Sequence, residues 1–147
     1  MIFEKINLDV SYEKCGLSDE NTRCELSCYI YEHSEENGKK NRPAIVIFPG
    51  GGYDYCSDRE AEPVALKFVG AGFNAFVLRY STYQKRFPTQ LLEALTALKY
   101  VRENAEKFDI NPDKILVCGF SAGGHLAASV SCHWSKDFIL DALDCDK

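Results

Sequence analysis

The chain has no excess of basic charge: 17 lysines and arginines face 22 aspartates and glutamates, for a formal net charge of −5. A nucleic-acid partner is therefore not expected, because such binders carry a basic patch or stripe. No apolar run approaches the ~20 residues of a membrane-spanning helix. Met1–Lys5 lacks the basic-then-apolar layout of a secretory leader. Cysteine is plentiful at seven, but the number is odd, the spacings are irregular and no C-x-x-C pair occurs. That argues against a disulfide framework, and the further ligands a zinc site would need are missing. The thiols read as reduced, mostly small hydrophobic packing groups. Cys24 and Cys28, four apart in a β-like stretch, should face the same side of it. There is no internal repeat and no low-complexity tract. The expectation is a cytoplasmic protein with no membrane partner and no metal.

With 147 residues, 46% of them hydrophobic, the chain suits one domain with a real core. Two β-like stretches, 2–10 and 24–32, are separated by turn residues around Cys15-Gly16 and predict an antiparallel pair. The polar segment 33–43, centred on Asn37-Gly38, reads as a surface loop that leaves His33 in solvent. Ala44–Phe48 is continuously apolar, as a central parallel strand covered on both faces should be. A helix over about 60–71 follows, with Ala61, Val64, Ala65, Phe68 and Val69 on one stripe. Phe73–Tyr80 is the next buried strand, 89–108 a long helix, 115–120 a strand, and Ser121 to about Ser131 a third helix. The order ββ-β-α-β-α-β-α predicts an α/β fold with an open, mostly parallel sheet and helices on both faces.

Chemistry concentrates in Gly119-Phe120-Ser121-Ala122-Gly123. A G-x-S-x-G turn between a buried strand and a helix is the layout of a nucleophile elbow, which exposes the serine hydroxyl on a sharp bend. Glycine is needed on either side because a Cβ there would crowd the neighbouring strand and helix. A serine also needs donors for the oxyanion it creates. The Ala122 N–H lies at a helix N-terminus, whose dipole favours negative charge. Gly50-Gly51-Gly52, after the 44–48 strand, would let a second backbone segment approach and present the N–H groups of Gly50 and Gly51. This run is not a Walker phosphate loop, since no Gly-Lys-Ser/Thr ending follows.

Three stretches carry a resemblance: Phe48-Pro49-Gly50-Gly51-Gly52-Tyr53, then Phe87-Pro88, then Ile110-Asn111-Pro112-Asp113-Lys114-Ile115 leading to Gly119–Ala127. Together they resemble the α/β-hydrolase esterase/lipase family, in particular bacterial acetyl-xylan-esterase and feruloyl-esterase-like carbohydrate esterases, with Pro49 where the family's oxyanion loop has histidine. The resemblance covers residues 24–132. It implies Ser121 as nucleophile, the Gly50, Gly51 and Ala122 amides as oxyanion hole, a small-molecule ester as substrate, and hydrolysis through an acyl-enzyme without a cofactor.

Besides Pro49, the sequence departs from that family in its triad. The family's triad runs Ser, then Asp or Glu, then His. Here both histidines after Ser121, His125 and His133, precede Asp137, Asp141, Asp144 and Asp146. No such order can be written, so acid and base remain unassigned. His125, four residues after the serine, is expected on the packing surface of its helix as a structural residue, and His133 near the helix end, against the dipole or solvent. The segment from Lys136 reads as a short helix or loop that should lead to a sixth strand. Residues 1–147 are therefore expected to form the N-terminal part of a single α/β-hydrolase domain that self-associates along the bare edge of the 115–120 strand. A catalytically incomplete chain serving only as an assembly or binding partner is the alternative.

Overall fold

A computed structural model describes residues 1–36 and 41–145. The expected Asn37-Gly38 turn and Asp146 lie outside the described residues. Five strands form one sheet: β1 (Ile2–Asn7), β2 (Glu25–Ile30), β3 (Arg42–Phe48), β4 (Asn74–Arg79) and β5 (Ile110–Gly119), in the order β1-β2-β4-β3-β5. β4, β3 and β5 run parallel. β2 is antiparallel to both of its neighbours, and the expected pairing with β1 registers Ile2 on Ile30 and Asn7 on Glu25. The helices are α1 (Glu62–Gly70), α2 (Thr89–Glu103), α3 (Ala122–His133) and α4 (Asp137–Leu143).

β3 is covered on both faces, and its alternation divides the core. Ala44, Val46 and Phe48 join Leu91, Leu92, Leu95 of α2, Leu126, Val130 of α3 and Ile139 of α4 in the larger cluster. Ile45 and Ile47 join Ala61, Ala65 and Val77 on the α1 side. Helices thus lie on both faces, one against three. Cys24 and Cys28 are both buried in the larger cluster, on the same side as expected. All seven cysteines are free thiols. None of the described helices is long and apolar enough to cross a membrane.

Several boundaries differ from the sequence reading. α2 stops at Glu103 rather than 108, because the Ala105 N–H turns back to the Arg102 carbonyl and Asp109 adopts a left-handed φ of 48°. β5 begins at Ile110, five residues early, because Ile110 pairs with Arg42 before the chain swings out. Pairing resumes at Ile115 opposite Ala44. The excursion is closed locally by the Asp113 N–H on Asn111 Oδ1, so Asn111-Pro112 interrupts the strand without ending it.

Candidate active site

The carboxyl ends of β3 and β5 meet at Ser121. The Phe120 N–H donates to the Phe48 carbonyl at 3.2 Å, and the Gly123 N–H to the Phe120 carbonyl at 2.8 Å, closing a turn around the serine. Ser121 takes φ 51° and ψ −116°, outside α3, whose first residue is Ala122. Such a backbone conformation in a non-glycine residue costs about 1–3 kcal/mol, and it persists only where its surroundings enforce it. Here the enforcement is close packing. A Cβ on Gly119 would sit 2.0 Å from the Gly123 carbonyl oxygen, and one on Gly123 would sit 1.9 Å from that of Phe48. Only glycine at both positions lets strand, turn and helix come this near. The serine is exposed, and its hydroxyl makes no hydrogen bond among the described residues.

The glycine turn after β3 lies directly against it: a Cβ on Gly50 would be 3.1 Å from Ser121 Cβ. Its path is pinned from several sides. The buried Tyr80, just past β4, donates from its hydroxyl to the Pro49 carbonyl at 2.5 Å. The Ser57 N–H holds the Gly50 carbonyl at 2.8 Å, and the Asp54 N–H holds that of Gly51 at 3.0 Å. Gly51, Gly52 and Tyr53 follow with φ of 132°, 67° and 65°; the two glycines take these values at no steric cost, whereas Tyr53 is a strained non-glycine position. Burial pushes the Tyr80 phenol above its ordinary range, so it stays a donor.

Two expectations need correction. The Gly50 N–H is not an open oxyanion donor, because it already donates to Glu60 Oε2 at 2.8 Å. Gly51 and Ala122 keep N–H groups without a partner among the described residues. Glu60 was missed because it sits among charged residues just ahead of α1, where a carboxylate reads as a solvated helix start. His125 is not on the packing surface of α3. It is exposed, its Nδ1 lies 2.8 Å from the Tyr53 hydroxyl, and the two rings meet edge-on. That bond ties the glycine turn to the helix after the serine.

The other histidines lie elsewhere. His133 touches the Phe87 ring, with centroids 6.0 Å apart. His33 has Nδ1 3.8 Å from Asp109 Oδ2, beside the amino end of β5. Among the described residues no histidine hydrogen-bonds Ser121.

A strand–turn–helix of this geometry on this sheet belongs to an esterase-like α/β-hydrolase fold. The chain belongs to the BD-FAE family, whose profile matches residues 29–142. It is similar to MGS-M1, an α/β-hydrolase enzyme from a Medee basin deep-sea metagenome library, at 47% identity and a TM-score of 0.78, over 88% of this chain and 50% of that one. It is also similar to the acetyl ester-xyloside bifunctional hydrolase of Caldicellulosiruptor lactoaceticus, at 35% identity and a TM-score of 0.79, over 95% of this chain and 52% of that one. An acetylxylan esterase of Xylanibacter ruminicola is 30% identical over 79% of this chain. The chain spans 23% of the length of that esterase and about half of each of the two solved structures.

Proposed function

We propose that this chain supplies the nucleophile and oxyanion donors of a serine carboxylester hydrolase that deacylates small or carbohydrate esters. The observation that carries the reading is the enforced φ of 51° at an exposed Ser121, beside a pinned glycine turn. In the reaction Ser121 Oγ bonds to the ester carbonyl carbon and passes its proton to solvent water, since no described histidine reaches it, and solvent returns a proton to the departing alkoxide oxygen. The carbonyl oxygen becomes an oxyanion that accepts from the Gly51 and Ala122 N–H groups. Its collapse expels the alcohol and leaves an acyl-serine, and water then releases the acid and regenerates the hydroxyl. Removing a single donor of this kind costs about 10²–10³ in kcat, so the Glu60 bond at Gly50 places the burden on Gly51 and Ala122. The names of two similar proteins, an acetylxylan esterase and an acetyl ester-xyloside hydrolase, support an acylated sugar as substrate. The odd number and irregular spacing of the seven cysteines support a reducing, cytoplasmic setting.

One observation favours the alternative of a chain acting only in assembly: no described histidine reaches Ser121, and His125 is committed to Tyr53. The two readings separate on labelling with a fluorophosphonate. The hydrolase reading expects a covalent adduct on the Ser121 peptide that vanishes in Ser121→Ala. Turnover of p-nitrophenyl acetate should stay at the residual ~10³–10⁴-fold over water that an oxyanion hole without a base provides. Absence of any adduct on a folded chain would favour the assembly reading.

A further inference from the structure

We infer that the cleft beyond the carboxyl end of β4 is the subsite for the sugar ring of an acylated carbohydrate, an inference that rests on the proposed hydrolase reading and extends it to the alcohol side. In open α/β sheets ligands settle in crevices outside the carboxyl ends of the strands. β4 lies next to β3, and β3 next to the β5 strand that leads to Ser121. The cleft, about 350 Å³, is lined by Tyr55, Tyr83, Asp54, Asp58, Arg23 and Arg79, among others. It adjoins the reactive turn through Gly51, where a Cβ would lie 3.2 Å from Tyr55 Cδ2. Gly50 in turn abuts Ser121.

The chemistry of the lining selects the ligand. Tyr55 and Tyr83 leave 58% and 72% of their surface in water, and two wet aromatic rings flanking one cleft offer electron-rich faces to the C–H face of a pyranose. Arg79 is fixed as a planar fork, donating from Nη1 to the Cys56 carbonyl at 3.1 Å and from Nη2 to Asp58 Oδ1 at 2.6 Å. The Asp58 side chain is still 89% exposed, which leaves its other oxygen open to a hydroxyl. Paired hydroxyls suit such a carboxylate–guanidinium pair, since each both donates and accepts. Two arginines face two aspartates, so the formal charges of these side chains cancel. A neutral polyol fits that balance better than a phosphate or an ammonium ligand.

The test uses the 147-residue chain and xylotriose, followed by amide chemical shifts in a titration. Shifts should concentrate at residues 54–58 and 79–83. Tyr83→Ala should weaken binding about fivefold or more, and Tyr83→Phe should keep it within about twofold, as a stacking contact predicts. No shifts, shifts confined to the separate groove that Leu98, Val117, Val130 and Trp134 line beside β5, or indifference to Tyr83→Ala would overturn the subsite. Fluorophosphonate labelling separates the two proposals. An adduct on Ser121 without xylotriose binding leaves the hydrolase reading and removes the subsite. Binding at the cleft without an adduct would leave a carbohydrate site there, and would remove the hydrolase reading together with the alcohol-side role given to the cleft.

Discussion

The two edges of the sheet are built on different terms. β1 forms one edge, and its middle carries charge: Glu4 pairs with Lys107 at 2.9 Å and Lys5 with Glu25 at 3.4 Å. Charged residues blunt an edge against further pairing. β5 forms the other edge and has no charge between Ile115 and Gly119; Leu116 is 47% exposed, and Ile115 and Val117 line an open groove of about 580 Å³ with Leu98, Val130 and Trp134. The guarded edge carries no candidate chemistry, while the unguarded one ends in the strained serine. Edge protection and the strained turn are thus separate designs, and each can be disturbed without the other.

The largest expected effect is at the β5 end. Gly123→Ala forces a Cβ to within 1.9 Å of the Phe48 carbonyl oxygen, backbone that cannot move without breaking the β3–β5 pairing. Overpacking of this kind typically costs 1–3 kcal/mol, and a contact this short with backbone belongs at or beyond the top of that range, about 3 kcal/mol. The fluorophosphonate adduct on Ser121 should disappear with it. At the other edge Phe3→Ala, removing a ring that is 50% exposed, should cost about 1 kcal/mol or less. Equal losses in urea unfolding would break the comparison.

What could be read from the sequence follows the same division. The bend at Ser121 and the glycine turn were legible because their geometry admits few residue types: glycine at 119 and 123 is a steric demand. Glu60, the Tyr80 hydroxyl and the Tyr53–His125 bond were not legible. Their roles depend on which loop comes to lie beside which helix, and a tyrosine or glutamate does many jobs. The parallel core was readable from the unbroken apolar run of Ala44–Phe48. The early start of β5 was not, since Asn111-Pro112 is ordinary turn chemistry and only Arg42, on a different strand, draws Ile110 into the sheet. Glu93 left a faint signal, a carboxylate within the apolar stretch that opens α2.

Glu93 sharpens the comparison from the guarded side. It is fully buried and accepts from the Tyr12 hydroxyl at 2.8 Å, the Ser81 N–H at 2.7 Å and the Ser81 hydroxyl. It thereby ties the β1–β2 connection to α2 and the end of β4. Burial, outweighing those bonds, raises its carboxyl from 4.5 to about 6. Between those values the native state holds the proton more often than the unfolded chain. Its contribution is therefore greatest below about pH 4.5, falls as pH rises to about 6, and is level above. At 1.36 kcal/mol per pH unit the loss is about 2 kcal/mol. Glu93→Gln should abolish that slope: the stability difference between variant and wild type, measured by denaturant titration at pH 4 and pH 7, should move by about 2 kcal/mol in favour of the variant at pH 7. A difference independent of pH would show that folding leaves the Glu93 carboxyl at its ordinary value.

A smaller effect than those at Gly123 and Glu93 tests the unguarded edge itself. β5 offers backbone donors and acceptors on its outer side and an exposed Leu116, and each Å² of apolar surface withdrawn from water contributes about 25 cal/mol. We propose that a second copy pairs along this edge, which sedimentation at micromolar concentration should register as a dimer. Leu116→Lys gives β5 the kind of charge that Lys5 gives β1. It lies on a half-exposed position, so the fold should tolerate it, whereas in a two-fold pairing each copy would bring its lysine near the other. A tenfold weakening, about 1.4 kcal/mol, is the expected shift in the dissociation constant. Ile2→Lys, on an edge already carrying charge, should leave it unchanged. A wild-type chain that stays monomeric, or a dimer that responds to Ile2→Lys and ignores Leu116→Lys, would mean that the open edge of β5 is not where copies meet.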